Sequence, residues 1–564
     1  MSRVRPGADR PGLAPGPDPA TAAWDAPAPE TRSRAIRPLS WLAAIGIGGS
    51  ILIMIAASAA RYSVPVPLLP RPAGPLPVEL PVRLPEALVT LGLWASAGLG
   101  GGGVLAGLAA VARGARYPAW LLITAALVAV TALAVLPPAG STDTVSYATY
   151  GRMAVLGHNP YVMTPAQLHR TGDPIGQLSH LTWHRHPSLY GPLATAEQWA
   201  AARLGGTSAV AVILWLKLGN AAAFAGVMLG LDRLTRADPA RRARAHLLWS
   251  VNPLLLWALM AGGHLDVLAA AASLAGLTLL RARGPGTSPR ASTALGAGML
   301  IGVAADVMLT YLLLALALGW ALRRSAAGLA AAAAGLAAAL VPAYLWAGRA
   351  IFHNLGRRQG KVSADTFYQL ISSSFHHTLP PHMTLAVEVA FLILAALMLW
   401  RLPDAIPGRP AVQPALAISV AWLFIWYYQL PWYDTMAIGL LAVYPASRLD
   451  WAVIGQLTIA TFGLMPGTVL ALHPPWLARL AYLVPFRFTP LLLLAALAAL
   501  LGLCLTRAWN VRQAPDGGLP AGAAPAGITG RERLAPAQPP GIIRVLCCQS
   551  STMWAPAVKH GDRA

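Results

Sequence analysis

Long apolar stretches recur along most of this chain and are separated by short polar segments. A helix needs about 20 apolar residues to cross a hydrocarbon core that is roughly 30 Å thick. Only 11% of the 564 residues are charged, whereas soluble globular proteins carry about 25% charged residues. The pattern predicts an all-α integral membrane protein with about 12–14 transmembrane helices. It excludes a soluble globular fold.

The two ends of the chain differ from its apolar middle. Residues 1–37 and 509–564 are rich in Pro, Ala and Gly, a composition that cannot offset the entropy of ordering. We predict two disordered cytoplasmic tails and one polytopic transmembrane domain over residues 38–508. The N-terminal tail is too long and polar for a cleavable signal peptide, so we expect the first span to stay in the mature chain. Cys504, Cys547 and Cys548 show neither metal spacing nor a disulfide framework.

Arginine-rich segments predict the orientation of the chain in the membrane. Lys and Arg in short loops mark the cytoplasmic side, and such segments are found at 232–246, 281–290, 323–324 and 507–512. Counting spans from them places both tails inside. The segments that then fall outside are 138–206, 349–383 and the tips near 262–266, 429–434 and 473–486. The net charge of +21 comes from scattered arginines rather than from one basic domain, so we expect no nucleic acid partner.

One of the predicted outer segments is unusually polar. Residues 141–165 read STDTVSYATYGRMAVLGHNPYVMTP, in which Asp143 precedes Tyr147, Tyr150 and Arg152 at helical spacing. A carboxylate at a membrane surface beside Arg and Tyr indicates a functional site. The alternative is that Asp143 only caps a helix that begins at Thr144, because Asp is a common N-cap residue.

Several motifs together point to a known family. The sequence DTVSYATYGRMAVLGHNPYVMTP, followed by SLYGPL, NPLLLWALMAGGHLD and LPWYD, resembles the polyprenol-phosphomannose-dependent alpha-1,6-mannosyltransferases of actinobacteria. These are C-type glycosyltransferases, and the resemblance covers residues 90–505. It implies a polytopic C-type fold with amphipathic helices in extracytoplasmic loops and a catalytic loop over 138–206. The chain departs from the family pattern at His264-Leu265-Asp266, where Asn usually precedes the acid, and at Asp306, where a basic residue is common.

The resemblance implies a single inverting displacement. A sugar, expected to be mannose, moves from a polyprenyl-phosphate donor to a cell-envelope glycan or glycolipid and forms an alpha-1,6 linkage. This reaction needs one base, and the predicted base is Asp143, with Asp266 as the alternative. The lipid phosphate leaves without needing an acid, so cations should surround it. The predicted phosphate ligands are Arg152, His184, Arg185, His186, Lys217, Arg357, Arg358 and Lys361.

Further residues on the same predicted face are expected to contact the substrates. They are Tyr147, Tyr150, Asn159, Tyr161, Tyr190, His264, Asp266, Trp432 and Tyr433. We expect neither a metal nor a cofactor, since the lipid-linked sugar is itself a substrate. Simpler interpretations remain for three features. Residues 426–432 fit an aromatic belt, residues 357–361 fit a solvated basic loop, and Lys217 fits a side chain that reaches to a headgroup.

Two other classes of protein share the broad features of this sequence. A lipid-linked sugar transporter or flippase would also have many spans with polar residues inside them, although the chain shows no convincing internal repeat. A membrane scaffold would not need Asp143 in such a setting. The expected partners are therefore the polyprenyl-phosphate sugar, a glycan or glycolipid acceptor and the bilayer. The expected location is the plasma membrane, with the active site on the extracytoplasmic face.

Overall fold

The computed structural model of the chain describes residues 29–71, 74–178, 183–282, 287–364, 366–403, 406, 408–467, 472–506 and 509. All regular elements within these residues are helices, and no strand occurs among them. The all-α prediction is therefore confirmed. The predicted disorder of residues 1–28 and 510–564, together with Cys547 and Cys548, lies outside the described residues.

The described helices follow one another closely along the chain. They are α1 (Pro29–Ala59), α2 (Glu86–Ala112), α3 (Ala119–Ala134), α4 (Asp143–Val155), α5 (Pro165–Arg170), α6 (Pro192–Gly205), α7 (Ala209–Thr235), α8 (Pro239–Ala245), α9 (Pro253–Leu255), α10 (Asp266–Leu279), α11 (Ala291–Val307), α12 (Leu314–Leu322), α13 (Ala326–Ala347), α14 (Ala350–Gly356), α15 (Gln369–Ser372), α16 (Pro381–Arg401), α17 (Val412–Ile425), α18 (Thr435–Val443), α19 (Leu449–Leu464), α20 (Pro475–Leu483) and α21 (Thr489–Thr506). Short 3-10 helices occupy Gly176–Leu178, Leu309–Leu313, Ser373–Phe375 and Pro431–Asp434, and π-helical turns occupy His246–Ser250, Leu256–Ala261 and Val484–Phe488.

Helix length and composition are those of a polytopic membrane protein. Six helices within the described residues are long and apolar enough to cross a bilayer. They are Ile36–Ala59, Glu86–Ala112, Ala209–Thr235, Ala326–Ala347, Pro381–Arg401 and Pro475–Thr506. Six shorter apolar helices of 10–17 residues accompany them. Of the predicted total of about 12–14 spans, six thus reach full crossing length.

The first helix begins earlier than the sequence suggested. The predicted N-terminal tail extended to residue 37, but α1 begins at Pro29 and continues through Pro38. Proline is favoured in the first turn of a helix, because its missing N–H is not needed there. The Glu, Arg and Ala residues that follow are good helix formers. Residues 29–37, which the sequence assigned to the tail, are therefore helical.

The centre of the bundle is formed by helices that are apolar on every face. Nearly all positions of α17 and α18 are buried, as expected for a helix without a polar stripe. Helix α10 packs against α7, α11 and α18, and α11 in turn packs along α13. Helices α4 and α6 pack together beside this core.

The central helices define two opposite ends of the bundle. At one end, the Tyr311 hydroxyl lies 3.1 Å from Thr435 Oγ1 and 3.4 Å from the Asp266 carbonyl, so the first residues of α10 and α18 lie together. At the other end of α18, Arg241 donates to the Val443 carbonyl at 2.9 Å. Arg241 and the described residues that follow α10 therefore lie at the end of the bundle opposite to Asp266.

Candidate active site

A cavity of about 480 Å³ lies at the Asp266 end of the bundle. Its walls come from α4, the segment 183–190, residues 308–310, the end of α14 with the turn after it, Glu388 of α16 and residues 426–433. Eight of the residues predicted from the sequence line it: Asp143, Tyr150, His186, Tyr190, Arg358, Lys361, Trp432 and Tyr433. The structure thus brings together segments that are more than 200 residues apart in the sequence.

Asp143 lies at the first position of α4 and points away from the helix end. The N-cap residue is Thr142, and the Asp143 side chain accepts a hydrogen bond from the Trp183 indole N–H at 2.7 Å. The interpretation of Asp143 as a helix cap is therefore wrong. Burial raises the pKa of Asp143 to about 6, against the smaller lowering effect of the Trp183 hydrogen bond. Asp143 is thus a desolvated carboxyl that faces a cavity.

Trp183 connects this carboxyl to a cation from a distant segment. While the edge of its indole ring donates to Asp143, the Arg358 guanidinium lies over the ring face, 4.9 Å from its centroid. Such cation–π contacts gain strength when the cation is desolvated. Arg358 Nη2 is buried and has no hydrogen-bond partner in the described part of the chain. A buried donor without a partner is costly, which indicates a place for an anionic ligand.

The turn after α14 presents two cations to the same cavity. The Lys361 N–H donates to the Arg358 carbonyl at 3.2 Å, and this turn places both side chains in the cavity wall. Burial, then the charges of Arg358, Lys361 and Arg357, lower the pKa of His186. A neutral His186 beside two cations leaves this part of the cavity with a net positive charge.

Behind Asp143, aromatic rings hold His264 in place. His264 stacks on Trp432 with ring centroids 3.4 Å apart, and its Nδ1 lies 3.4 Å from the Tyr147 hydroxyl and 3.7 Å from Asp143 Oδ2. Tyr147 also meets Tyr190 edge to face at 4.9 Å. The ring of His264 is therefore fixed next to the carboxyl, although neither His264 nor Tyr147 lines the cavity itself.

Two glycines permit the close packing around this site. Gly263 has a φ of +70°, and a Cβ there would lie 2.4 Å from Thr144 Cγ2. Gly151 belongs to the Tyr-Gly-Arg motif, and a Cβ there would lie 2.1 Å from the Gln198 carbonyl of α6. Glycine is needed at the first position for its left-handed backbone and at the second for the approach of two helices.

Arg152 lies outside the cavity, contrary to the prediction that it holds phosphate. Its Nε donates to Asp173 Oδ2 at 2.7 Å. Asp173 in turn accepts from the backbone N–H groups of Ile175 and Gly176. This ion pair stabilises the loop after α5, so the Arg152 guanidinium already has an anionic partner.

The remaining predicted phosphate ligands are also not cavity residues. Lys217 is 1% exposed, and its ammonium donates to the Leu136 carbonyl at 2.7 Å and lies 3.4 Å from the Pro137 carbonyl. It therefore holds the segment that leads to Asp143. His184, Arg185 and Arg357 lie near the cavity but do not line it.

Asn159 and Tyr161 lie in a separate cavity of about 440 Å³, which they share with Trp199 and Trp346. The Asn159 side chain accepts from the Tyr161 N–H at 2.8 Å, and the Tyr161 hydroxyl lies 2.8 Å from Thr195 Oγ1. The structure places these two predicted substrate contacts outside the Asp143 cavity, in a turn that these hydrogen bonds stabilise.

Asp266 is buried beneath the site rather than exposed to it. It begins α10, is 1% exposed and does not line the cavity, and its Oδ1 has no hydrogen-bond partner among the described residues. Its predicted contact with substrate would need a movement of the residues above it.

Trp183 and Glu388 are two informative residues among those of the cavity wall that sequence reasoning missed. The pattern Trp183-His184-Arg185-His186 is unusually polar for an aromatic belt and was a signal for Trp183. Glu388 lines the cavity from α16. A carboxylate within the apolar run TLAVEVAFLIL was itself a signal, because ionisable residues inside membrane helices are usually functional.

Among the described residues, no group of three or more His, Cys, Asp or Glu side chains could hold a metal ion.

Comparison with known proteins gives two matches. Residues 43–324, half of the chain, match the family model described as alpha-(1→6)-mannopyranosyltransferase, N-terminal domain. The chain is also 32% identical over 155 residues to a probable alpha-(1→6)-mannopyranosyltransferase of Mycolicibacterium smegmatis, a match that covers 26% of each chain.

Proposed function

Because the chain belongs to the alpha-(1→6)-mannopyranosyltransferase family, we propose that it transfers mannose from a polyprenyl-phosphate donor to a cell-envelope glycan or glycolipid. The product carries an alpha-1,6 linkage. One observation supports this proposal above the others. Trp183 joins a desolvated carboxyl, Asp143, to an unpaired guanidinium, Arg358, within one cavity.

Asp143 acts as the base in this proposal. The acceptor hydroxyl oxygen attacks the anomeric carbon, its proton passes to Asp143, and the bond from that carbon to the phosphate oxygen breaks. The electron pair of the broken bond leaves with the polyprenyl phosphate, and a beta-linked donor gives an alpha-linked product. A base is most effective when its pKa is near the working pH. A pKa of about 6 makes Asp143 a stronger base than an exposed carboxylate while leaving it ionised near neutral pH.

Arg358 and Lys361 bind the donor phosphate in this proposal. Charge that develops on the leaving phosphate is stabilised by donors already in place, and a guanidinium suits bidentate contact with phosphate oxygens. Arg358 Nη2 is a buried donor that such an oxygen would satisfy. His186 supplies a neutral donor beside them.

Reconstituted transfer tests the proposal directly. The full chain in liposomes is given radiolabelled polyprenyl-phosphate mannose and an alpha-mannose oligomer, and the linkage of the product is read by methylation analysis. We expect elongation of the oligomer with alpha-1,6 mannose and no use of GDP-mannose. Movement of the donor across the bilayer without elongation would instead establish a flippase. Elongation from GDP-mannose alone would refute the lipid donor.

The orientation of the site is a separate part of the proposal. We place the Asp143 cavity on the extracytoplasmic face, since Arg233, Arg241 and Arg281 lie at the other end of the bundle. Exposed Thr171 in the loop after α5 and exposed Ala240 in α8 provide a matched pair. With Cys547 and Cys548 changed to Ser, an impermeant maleimide should label Thr171→Cys in intact cells and Ala240→Cys only after permeabilisation. The reverse pattern would refute this orientation.

A further inference from the structure

A second cleft lies at the end of the bundle opposite to the Asp143 cavity. It measures about 570 Å³ and is formed by the last turns of α7 and α10 and the first turn of α11. Helix α10 starts at Asp266 and ends at Leu279, which is a distance of roughly 20 Å at 1.5 Å per residue. The cleft is therefore about one helix length away from the proposed chemistry.

Three arginines from three different elements line this cleft. Arg233 comes from α7, Arg281 follows α10, and Arg290 is the N-cap residue of α11. We call them the arginine cleft. None of the three side chains has a hydrogen bond or an ion pair with a residue in the described part of the chain. Helix α11 also begins without a side-chain cap, so its first N–H groups add positive potential at the same place.

Nearby carboxylates do not neutralise the arginine cleft. Asp232 accepts from Arg242 at 2.6 and 2.9 Å. Asp238 caps α8 through two backbone N–H groups. Asp450 is paired with buried Arg244 at 2.5 and 2.7 Å. The described acidic side chains at this end of the bundle are therefore already engaged.

The wall behind the cleft is held by two hydrogen bonds and adds to its charge. Arg409 donates to the Thr278 carbonyl at 3.0 Å, and the Ala282 N–H donates to the Gly408 carbonyl at 3.0 Å. Burial, then the charge of Arg281, lower the pKa of Arg409. Arg409 therefore adds a fourth positive charge, close to Arg281, behind the cleft, which favours an anion there.

The rest of the lining indicates what kind of anion fits. Leu234, Ala275 and Leu279 continue the cleft along the apolar faces of α7 and α10. The cleft therefore has a cationic mouth and an apolar groove, as an amphiphile requires. We propose that the arginine cleft binds the phosphate headgroup of an anionic phospholipid in the leaflet opposite to the Asp143 cavity, with an acyl chain along Leu234, Ala275 and Leu279. Basic pockets between membrane helices bind anionic headgroups in this way.

Native mass spectrometry of the purified full chain tests this site. The protein in detergent is titrated with phosphatidylglycerol, with phosphatidylcholine of the same acyl chains, and with inorganic phosphate. The test variant carries Arg233→Gln, Arg281→Gln and Arg290→Gln. The control variant carries Arg113→Gln, Arg116→Gln and Arg324→Gln, which removes three exposed positive charges from other loops at the same end.

We expect one phosphatidylglycerol to remain bound to the wild-type chain and to the control variant. Its affinity should fall by at least about tenfold in the arginine-cleft variant, since each Arg removed should weaken binding to an anionic lipid by roughly fivefold. Equal loss in both variants would show diffuse surface charge and overturn the proposal. Equal retention of phosphatidylcholine, or displacement of the lipid by millimolar phosphate, would also overturn it. A variant that does not fold is replaced by the three single substitutions, each of which should weaken binding.

Discussion

Replacing Asp143 by Asn isolates the proposed base from every structural role of that position. The Asn side-chain oxygen can still accept the hydrogen bond that Trp183 donates to Asp143 at 2.7 Å. Asn also keeps the volume of Asp in a buried position. The change therefore removes proton affinity and charge while leaving the packing of α4 in place.

The expected loss follows from the role of a positioned base. Such a group contributes about 10²–10⁴-fold to rate, which corresponds to about 2.7–5.4 kcal/mol of activation free energy. Donor binding should not weaken, because the substitution removes a negative charge from a cavity that has to accept a phosphate. We therefore expect kcat to fall by about 10²–10⁴-fold with donor KM unchanged or lowered.

The assay is transfer of radiolabelled mannose by reconstituted protein, measured at pH 8, where Asp143 is ionised. The matched control is Glu197→Gln. Glu197 is also a buried carboxyl, with a pKa raised by burial to about 8, but it lies in α6 outside the cavity. We expect the Glu197→Gln protein to transfer mannose at the wild-type rate. Wild-type transfer by a folded Asp143→Asn protein would refute the assignment of the base, and Asp266→Asn would then be the next variant to measure.

The other predictions concern the proton, the phosphate and the buried lysine. Transfer should decline as pH falls through about 6, because the carboxylate form of Asp143 is the base and protonation removes it. In Trp183→Phe this decline should begin at a higher pH, since the lost N–H is the group that lowers the Asp143 pKa; an unshifted profile would contradict the hydrogen bond. Arg358→Gln should raise donor KM by about 10–100-fold, the range for a lost charge-assisted hydrogen bond, and more exposed Lys361→Gln should raise it less. Lys217→Met should leave donor KM unchanged, because that ammonium binds the Leu136 carbonyl rather than substrate; a tenfold rise would restore it as a phosphate ligand.

The sequence predicted the local part of this site better than its long-range part. Asp143, Tyr147 and Tyr150 lie on one helix, so helical spacing alone groups them. For Arg152 and Lys217, the sequence showed a cation close to the predicted site, but it did not show which group each cation contacts. Those partners, Asp173 and the Leu136 carbonyl, depend on tertiary packing that no spacing rule contains.

Membrane topology predicted which segments share an end of the bundle but not how they touch. Residues 138–206 and 349–383 were expected on one face, and contacts between them are seen in Arg358 over Trp183 and in Asn354 donating to the Tyr161 carbonyl at 2.8 Å. The placement of Trp183 between a carboxyl and a guanidinium had no local signature in the sequence.

That placement explains how one cavity can contain a base and a phosphate ligand of opposite charge. Direct pairing of Asp143 with Arg358 would hold the carboxyl pKa low and would occupy the guanidinium, which would weaken both proposed roles. The indole prevents this, since its edge donates to Asp143 and its face carries Arg358. Desolvation then dominates the pKa of Asp143, and Arg358 Nη2 remains without a partner. The donor phosphate can therefore bind the Arg358 guanidinium, and the acceptor hydroxyl can donate a hydrogen bond to the Asp143 carboxylate. Neither step requires an Asp143–Arg358 ion pair to be broken first, which would cost several kcal/mol in a buried site.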